Sequence, residues 1–113
     1  MGAWRLTVRH GSQVERERYE TLDDALAQLQ RRAEQIRAGG GLEEAAMLRT
    51  YEPGEQVEAR LELTGSGLVR RPEAGLDVMG DGALVPYRGA IFKRRLESRS
   101  ANAYEAVRRT LER

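Results

Sequence analysis

The sequence has no cysteine, a single histidine and, among its 19 basic residues, only one lysine, Lys93. The missing cysteines exclude disulfides and thiolate metal sites, and they permit a reducing compartment. No apolar run approaches the roughly 20 residues of a membrane-spanning helix. The N-terminus alternates like a strand and lacks the apolar block of a signal peptide. We therefore expect a cytoplasmic protein without a membrane partner.

An excess of charge of one sign is also missing, because 19 basic and 18 acidic residues leave a net charge of +1. Such a balance directs the chain to no particular partner. Residues 1–65 nevertheless contain nine basic and twelve acidic residues, whereas residues 66–113 contain ten and six. This mild dipole can serve self-association or an anionic ligand. The predominance of arginine fits either phosphate recognition or GC-rich codon usage.

Aromatic residues make up only 5% of the chain, so the core has to be built from Leu, Val, Ala and Met. The clearest contribution to that core is the segment 56–64, which reads Gln-Val-Glu-Ala-Arg-Leu-Glu-Leu-Thr. Its apolar residues occupy every second position, and its charges lie between them. This period of two predicts a half-buried strand of an antiparallel sheet with one face towards water.

The other segments predict a single α+β domain with the element order β-β-α-β-β-(β)-β-β-α. One antiparallel sheet, which can be strongly bent, carries two helices packed on one face. The expected boundaries within residues 1–113 are an N-terminal hairpin at 4–19, a helix at 22–38, a glycine-rich joint at 39–41, strands within 45–96 and a C-terminal helix at 101–112.

The N-terminal hairpin has a recognisable turn, because the glycine of Gly11-Ser12 can take the positive φ of a two-residue type II′ turn. Two-residue pairing sets Trp4 opposite Tyr19 and Leu6 opposite Glu17, and this imperfect facing leaves a bulge as the alternative. The returning strand is mostly Glu and Arg. Such a strand is best placed at a sheet edge, where charge discourages pairing with foreign strands.

The helix at 22–38 has start and stop signals. Thr21 can cap its first N–H groups, and the glycines at 39–41 are expected to end it in the left-handed conformation. Later segments are less regular: 47–51 and 68–69 are predicted strands, and Asn102 with Glu105 resembles a capping box for the last helix. The apolar stripe of the first helix is Leu22, Leu26, Leu29, Ala33 and Ile36.

No catalytic, metal or cofactor site is predicted. A triad would need His10 with a serine and an acid that nothing in the sequence brings together, so an exposed or hairpin-packing His10 is favoured. Asp77, Asp81 and Glu73 flank a glycine-rich turn without the spacing of a calcium loop, which favours ordinary turn chemistry. The glycine clusters do not fit phosphate-loop motifs either.

Basic clusters in the C-terminal half are the candidate binding residues. They could supply the electrostatic part of nucleic-acid binding, with Tyr87 and Phe92 available for stacking. The alternative is that they are solvated strand residues paired with Glu58, Glu62 and Glu97. The candidates are Arg70, Arg71, Lys93, Arg94, Arg95 and Arg99.

The element order from Thr21 to Arg113 resembles that of the double-stranded-RNA-binding domain, a helix followed by strands and a second helix. That family carries a lysine-rich motif where its last helix begins. This chain reads Ser-Ala-Asn-Ala-Tyr at 100–104, with no basic residue. The N-terminal hairpin and the additional strands also depart from the pattern, so the resemblance is limited to element order.

The leading functional hypothesis is a non-catalytic interaction module that self-associates, as a symmetric dimer, or binds another protein. The first alternative is a nucleic-acid-binding domain that uses the C-terminal basic clusters. A further alternative is a small-molecule site between sheet and helices, for which no motif is visible.

Overall fold

The computed structural model describes residues 3–39, 57–66, 72–89, 94–95 and 103–112, the pair at 94–95 by its backbone alone. Within these ranges the elements are β1 (Trp4–His10), β2 (Gln13–Tyr19), α1 (Leu22–Ala38), β3 (Val57–Gly65), β4 (Glu73–Met79), β5 (Leu84–Arg88), β6 (Arg94–Arg95) and α2 (Ala103–Leu111).

The strands form one antiparallel sheet in the order β2-β1-β3-β4-β5-β6. One hydrophobic cluster joins buried residues of both helices to a single face of this sheet. The α+β class and the packing of both helices on one face are therefore confirmed. We call this the helix-covered face, and we call the other side the opposite face.

The strand predicted at 56–64 is β3, and it lies between β1 and β4 in the sheet. Ala59, Leu61 and Leu63 are buried in the core, as their alternation predicts. Val57 departs from that pattern and is 43% exposed. The cause is a shift in the β3–β4 register between Val57 and Ala59, which leaves Glu58 as the extra residue of a β-bulge.

Helix α1 begins and packs as its sequence predicts. The Thr21 hydroxyl accepts a hydrogen bond from the backbone N–H of Asp24 at 3.1 Å. The predicted stripe is buried apart from Leu22, which is partly buried against the same core. Gly39 follows the helix with φ −75°, which is right-handed, so the left-handed cap expected from the glycines at 39–41 stays a prediction for Gly40 and Gly41. The N–H of Gly39 bonds to carbonyls of the last turn, and Gly40 and Gly41 lie outside the described residues.

The β1–β2 hairpin has the predicted register, with Trp4 opposite Tyr19. Gly11 takes φ +62°, as the two-residue turn requires, and β2 lies at the sheet edge with six of its seven residues exposed. Charge at this edge discourages pairing with foreign strands.

The β4–β5 hairpin turns through Gly82, which has φ +89°, while the Asp81 carboxylate accepts the backbone N–H of Ala83 at 2.9 Å. Pro86 lies beside the two-residue stretch of β5 that β6 pairs with. Helix α2 then buries Val107 and Leu111 in the hydrophobic cluster that it shares with the sheet.

Parts of several predicted elements lie outside the described residues. These are the strands at 47–51 and 68–69, the last strand except for β6, and Asn102 of the expected capping box.

Candidate functional site

Charge is sorted between the two faces of the β1–β2 hairpin. Side chains alternate along a strand, and residues opposite each other on neighbouring strands share a face. Leu6 and Val8 pack in the helix-covered core, and their partners in β2 are Glu17 and Glu15. The alternate positions therefore lie on the opposite face. They are Arg5, Thr7 and Arg9 of β1 with Val14, Arg16 and Arg18 of β2.

We call the four basic residues Arg5, Arg9, Arg16 and Arg18 the arginine face. The carboxylates next to them in sequence are turned to the other side and engaged there. Glu15 forms an ion pair with Arg32 of helix α1. Glu17 accepts the hydroxyl hydrogen of Tyr19 at 2.5 Å. Burial, followed by this hydrogen bond, raises the pKa of Tyr19 to about 12. Neither carboxylate lies on the face that carries Arg16 and Arg18.

Two members of the arginine face, Arg9 and Arg16, have no ion pair among the described residues. Both are exposed. Arg5 and Arg18 lie directly opposite each other in the ladder, an arrangement that is unfavourable for like charges. The buried Nε of Arg5 has no hydrogen-bond partner within the described ranges. An anion bound across this face could accept hydrogen bonds from the exposed guanidinium groups of Arg9 and Arg16.

On the same face, the arginine in the region where β3 and β4 pair has a carboxylate partner. Arg60 Nε donates to Asp77 Oδ1 at 2.6 Å, and its Nη2 donates to Oδ2 at 2.9 Å. The guanidinium also lies 5.4 Å from the centre of the Tyr87 ring. The hydrogen bonds that Arg60 donates to Asp77 raise the pKa of Arg60, although partial burial opposes them. This arginine is therefore neutralised within the fold.

Tyr87 is the aromatic residue beside Arg60 in that region. It is 3% exposed and lies opposite Gly75, where a Cβ atom would come within 2.7 Å of the tyrosine hydroxyl. Burial raises the pKa of Tyr87, and the negative charges of Glu62 and Asp77 raise it further. The tyrosine is thus held in its neutral form and packs over a glycine in the neighbouring strand.

An open cleft of about 490 Å³ lies where β1 ends and β3 begins, and Arg9, His10, Val57, Glu58 and Arg60 are among the residues that line it. His10 is exposed and its Nε2 lies 2.7 Å from Glu58 Oε1. Glu58, which the sequence offered as a partner for the basic clusters, is thus engaged by histidine.

The carboxylates considered for a metal site have other contacts. Asp77 binds Arg60, Asp81 caps its turn, and Glu73 lies 3.4 Å from the Thr64 hydroxyl. Within the described part of the chain no three His, Asp or Glu side chains form a group that could hold a metal ion.

The structure brings together different basic residues from those singled out in the sequence. Arg94 and Arg95 form β6, whose backbone pairs with Arg88 and Tyr87 of β5. The other four predicted residues, Arg70, Arg71, Lys93 and Arg99, lie outside the described ranges. The arginine face was missed, although a signal for it exists. Glu-Arg-Glu-Arg in one strand of a hairpin and Arg-x-Thr-x-Arg in the other sort charge by face once the register is set.

No protein-family model, curated protein or solved structure was found to match this chain. No helix among the described residues is long and apolar enough to span a membrane.

Proposed function

We propose that this protein is a non-catalytic nucleic-acid-binding module whose arginine face contacts the phosphate backbone. One observation carries the proposal: the hairpin places four arginines on one side and both neighbouring glutamates on the other. Guanidinium groups bind phosphate oxygens in two places at once. Neutralising backbone phosphates releases counterions, and this release drives sequence-independent binding.

A symmetric dimer through the β2 edge is less well supported by the same arrangement. In a symmetric dimer of this kind, the two β2 strands pair antiparallel and the two sheets become continuous. The helix-covered faces of both copies then lie on one side, so residues that pair across the interface come from the same face of each copy. Arginines of one copy would face arginines of the other, and glutamates would face glutamates. Like charges directly opposite each other are destabilising. The self-association expected from the sequence therefore stays a prediction that needs another surface.

Contacts to phosphate rather than to bases are favoured by what lies beside the arginines. Tyr87, the aromatic residue of the opposite face in the described strands, is buried and packs over Gly75. It offers no open ring on which bases can stack. With four arginines engaged, the logarithm of the binding constant for duplex DNA should fall with the logarithm of salt concentration with a slope of about −3.6.

The test compares two double variants with the same net charge. Arg16→Gln with Arg18→Gln removes two residues of the arginine face. Arg31→Gln with Arg109→Gln removes two exposed arginines from the helices, where glutamine is an equally good helix former. Fluorescence anisotropy with labelled duplex DNA, duplex RNA and single strands at about 50 mM salt gives the affinities.

We expect the strand variant to bind at least about tenfold more weakly, a loss of about 1.4 kcal/mol, and the helix variant to bind like the wild type. Equal losses in both variants would attribute binding to net charge alone and contradict the proposal. The proposal would also be contradicted if the wild-type protein did not bind nucleic acid at low salt and bound an acidic polypeptide instead.

A further inference from the structure

The cleft at the turn end of the arginine face has the size of a small-molecule site. Its volume of about 490 Å³ falls in the range of pockets that hold a compact organic ligand. It forms where the bulge at Glu58 shifts the start of β3 relative to β4. Arg9 belongs both to the arginine face and to the wall of this cleft, so the two surfaces are continuous.

Most charges in the cleft wall are already paired. Glu58 contacts His10 at 2.7 Å, and Arg60 holds Asp77 through two hydrogen bonds. Arg9 differs, since it has no ion pair with any described residue. It also lies directly opposite Arg60 in the β1–β3 ladder. Within the described part of the chain the cleft therefore offers one guanidinium without an ion pair, and this cation favours an anionic group on the ligand.

Apolar surface lies beside this cation. Val57 in the cleft wall is 43% exposed, and Val14, opposite Arg9 in β2, is 42% exposed. These are the exposed large hydrophobic residues of the described chain. A ligand with an anionic group and a flat organic body would cover them, and a bare inorganic ion would not.

His10 adds a polar group to the rim. Its Nε2 lies 2.7 Å from Glu58 Oε1, and its side chain is 44% exposed. No hydrogen bond of the other ring nitrogen, Nδ1, is found among the described residues. This nitrogen can bond to a hydroxyl or amino group of a ligand.

We propose that the cleft binds an organic phosphate monoester of nucleotide size, with the phosphate on Arg9 and the organic body against Val57. The inference rests on the proposed function, and it assigns the cleft to the 5′-phosphorylated end of a strand bound along the arginine face. A free mononucleotide carries the same chemistry and is distinguished by experiment.

The test uses the full chain and three probes: a labelled oligonucleotide with a 5′-phosphate, the same oligonucleotide with a 5′-hydroxyl, and AMP alone. The readout is the ratio of the two oligonucleotide affinities, with amide chemical shifts recorded during the AMP titration. Arg9→Gln removes the phosphate contact, and Val57→Asp places a carboxylate beside Arg9. Arg31→Gln on helix α1 is the control.

We expect the 5′-phosphate to strengthen binding about tenfold at low salt, since one further charge-assisted contact has that size. The ratio should fall towards one in Arg9→Gln and Val57→Asp, and it should persist in Arg31→Gln. Shifts at Val57 and Ala59 with AMP, lost in the same two variants, would support the cleft with a free mononucleotide as its ligand.

Equal affinity for both ends, together with no shifts from AMP, would overturn the cleft assignment. The proposed function would stand in that case if Arg16→Gln with Arg18→Gln still weakens both oligonucleotides. Absence of oligonucleotide binding in the wild type would instead refute the proposed function, and the AMP titration would still decide the cleft.

Discussion

Two arginine-containing regions share the opposite face of the sheet, and their arginines have different roles. Arg60, in β3, is partly buried and held by both oxygens of Asp77. Arg16, in β2, is exposed, with its neighbouring glutamates on the other side of the strand. The partner thus decides what an arginine does. One is part of the fold, and the other is available to a ligand.

The arginines of the two regions are also expected to contribute differently to the stability of the fold. A hydrogen bond to a charged group, such as those between Arg60 and Asp77, contributes about 1.5–3 kcal/mol to the stability of the fold. An exposed arginine without a partner contributes within about 0.5 kcal/mol of zero. Stability therefore accounts for Arg60, whereas Arg9 and Arg16 have no ion pair among the described residues. Our proposal assigns these two arginines to a bound polyanion.

The largest expected effect is a loss of stability caused by a substitution in the β3–β4 region. In Gly75→Ala the new Cβ would lie 2.1 Å from the Leu61 carbonyl oxygen and 2.7 Å from the Tyr87 hydroxyl. The strand or the tyrosine must move, and we expect a loss of about 3 kcal/mol in the free energy of unfolding, measured by urea denaturation.

Gly82→Ala is the matched control for that change. Its φ of +89° strains alanine, but nothing lies within 4 Å of the added carbon. The expected cost is about 1 kcal/mol. A loss in Gly75→Ala no larger than that of Gly82→Ala would show that Tyr87 and Leu61 adapt easily, and that this part of the sheet is not tightly packed.

A smaller effect tests whether Asp77 causes the difference between the two regions by neutralising Arg60. Asp77→Asn removes the negative charge that neutralises Arg60, so we expect the protein to lose about 2 kcal/mol of stability. The freed guanidinium should also raise the affinity for duplex DNA, because one more cation becomes available on the face. Urea denaturation and fluorescence anisotropy measure the two quantities on the same variant.

The double variant Asp77→Asn with Arg60→Gln provides the control. It should recover part of the lost stability, and its affinity for duplex DNA should return to the wild-type value, because both charges are gone. An Asp77→Asn protein as stable as the wild type, with unchanged affinity, would mean that the ion pair does not set the character of this region.

The sequence predicts much of this fold because its strongest patterns are local. The alternation in β3, the stripe of α1 and the cap at Thr21 each depend on residues close together in the chain. Val57 differs from expectation for a reason that the pattern of a single strand does not contain. A bulge in the pairing of β3 with β4 displaces it.

The arginine face was harder to predict because it depends on two strands at once. Arg5 and Arg18 become neighbours only through the hairpin register, and the role of Glu15 only becomes visible when Arg32 of α1 packs beside β2. Counting basic residues along the chain pointed to Arg94 and Arg95, since they are adjacent in sequence. Sorting charges by face, using the predicted register of Trp4 and Tyr19, would have identified the arginine face.

The central claim is that the face on which the arginines lie, and not their number, gives the protein its ligand. A variant with Glu15→Arg, Arg16→Glu, Glu17→Arg and Arg18→Glu keeps composition and net charge and exchanges the two faces of β2. It disrupts the exposed Glu15–Arg32 pair, which contributes less than about 1 kcal/mol, so circular dichroism should show a folded protein. The measurement is its affinity for duplex DNA at about 50 mM salt. We predict that binding is lost, and a folded variant with wild-type affinity would contradict the account.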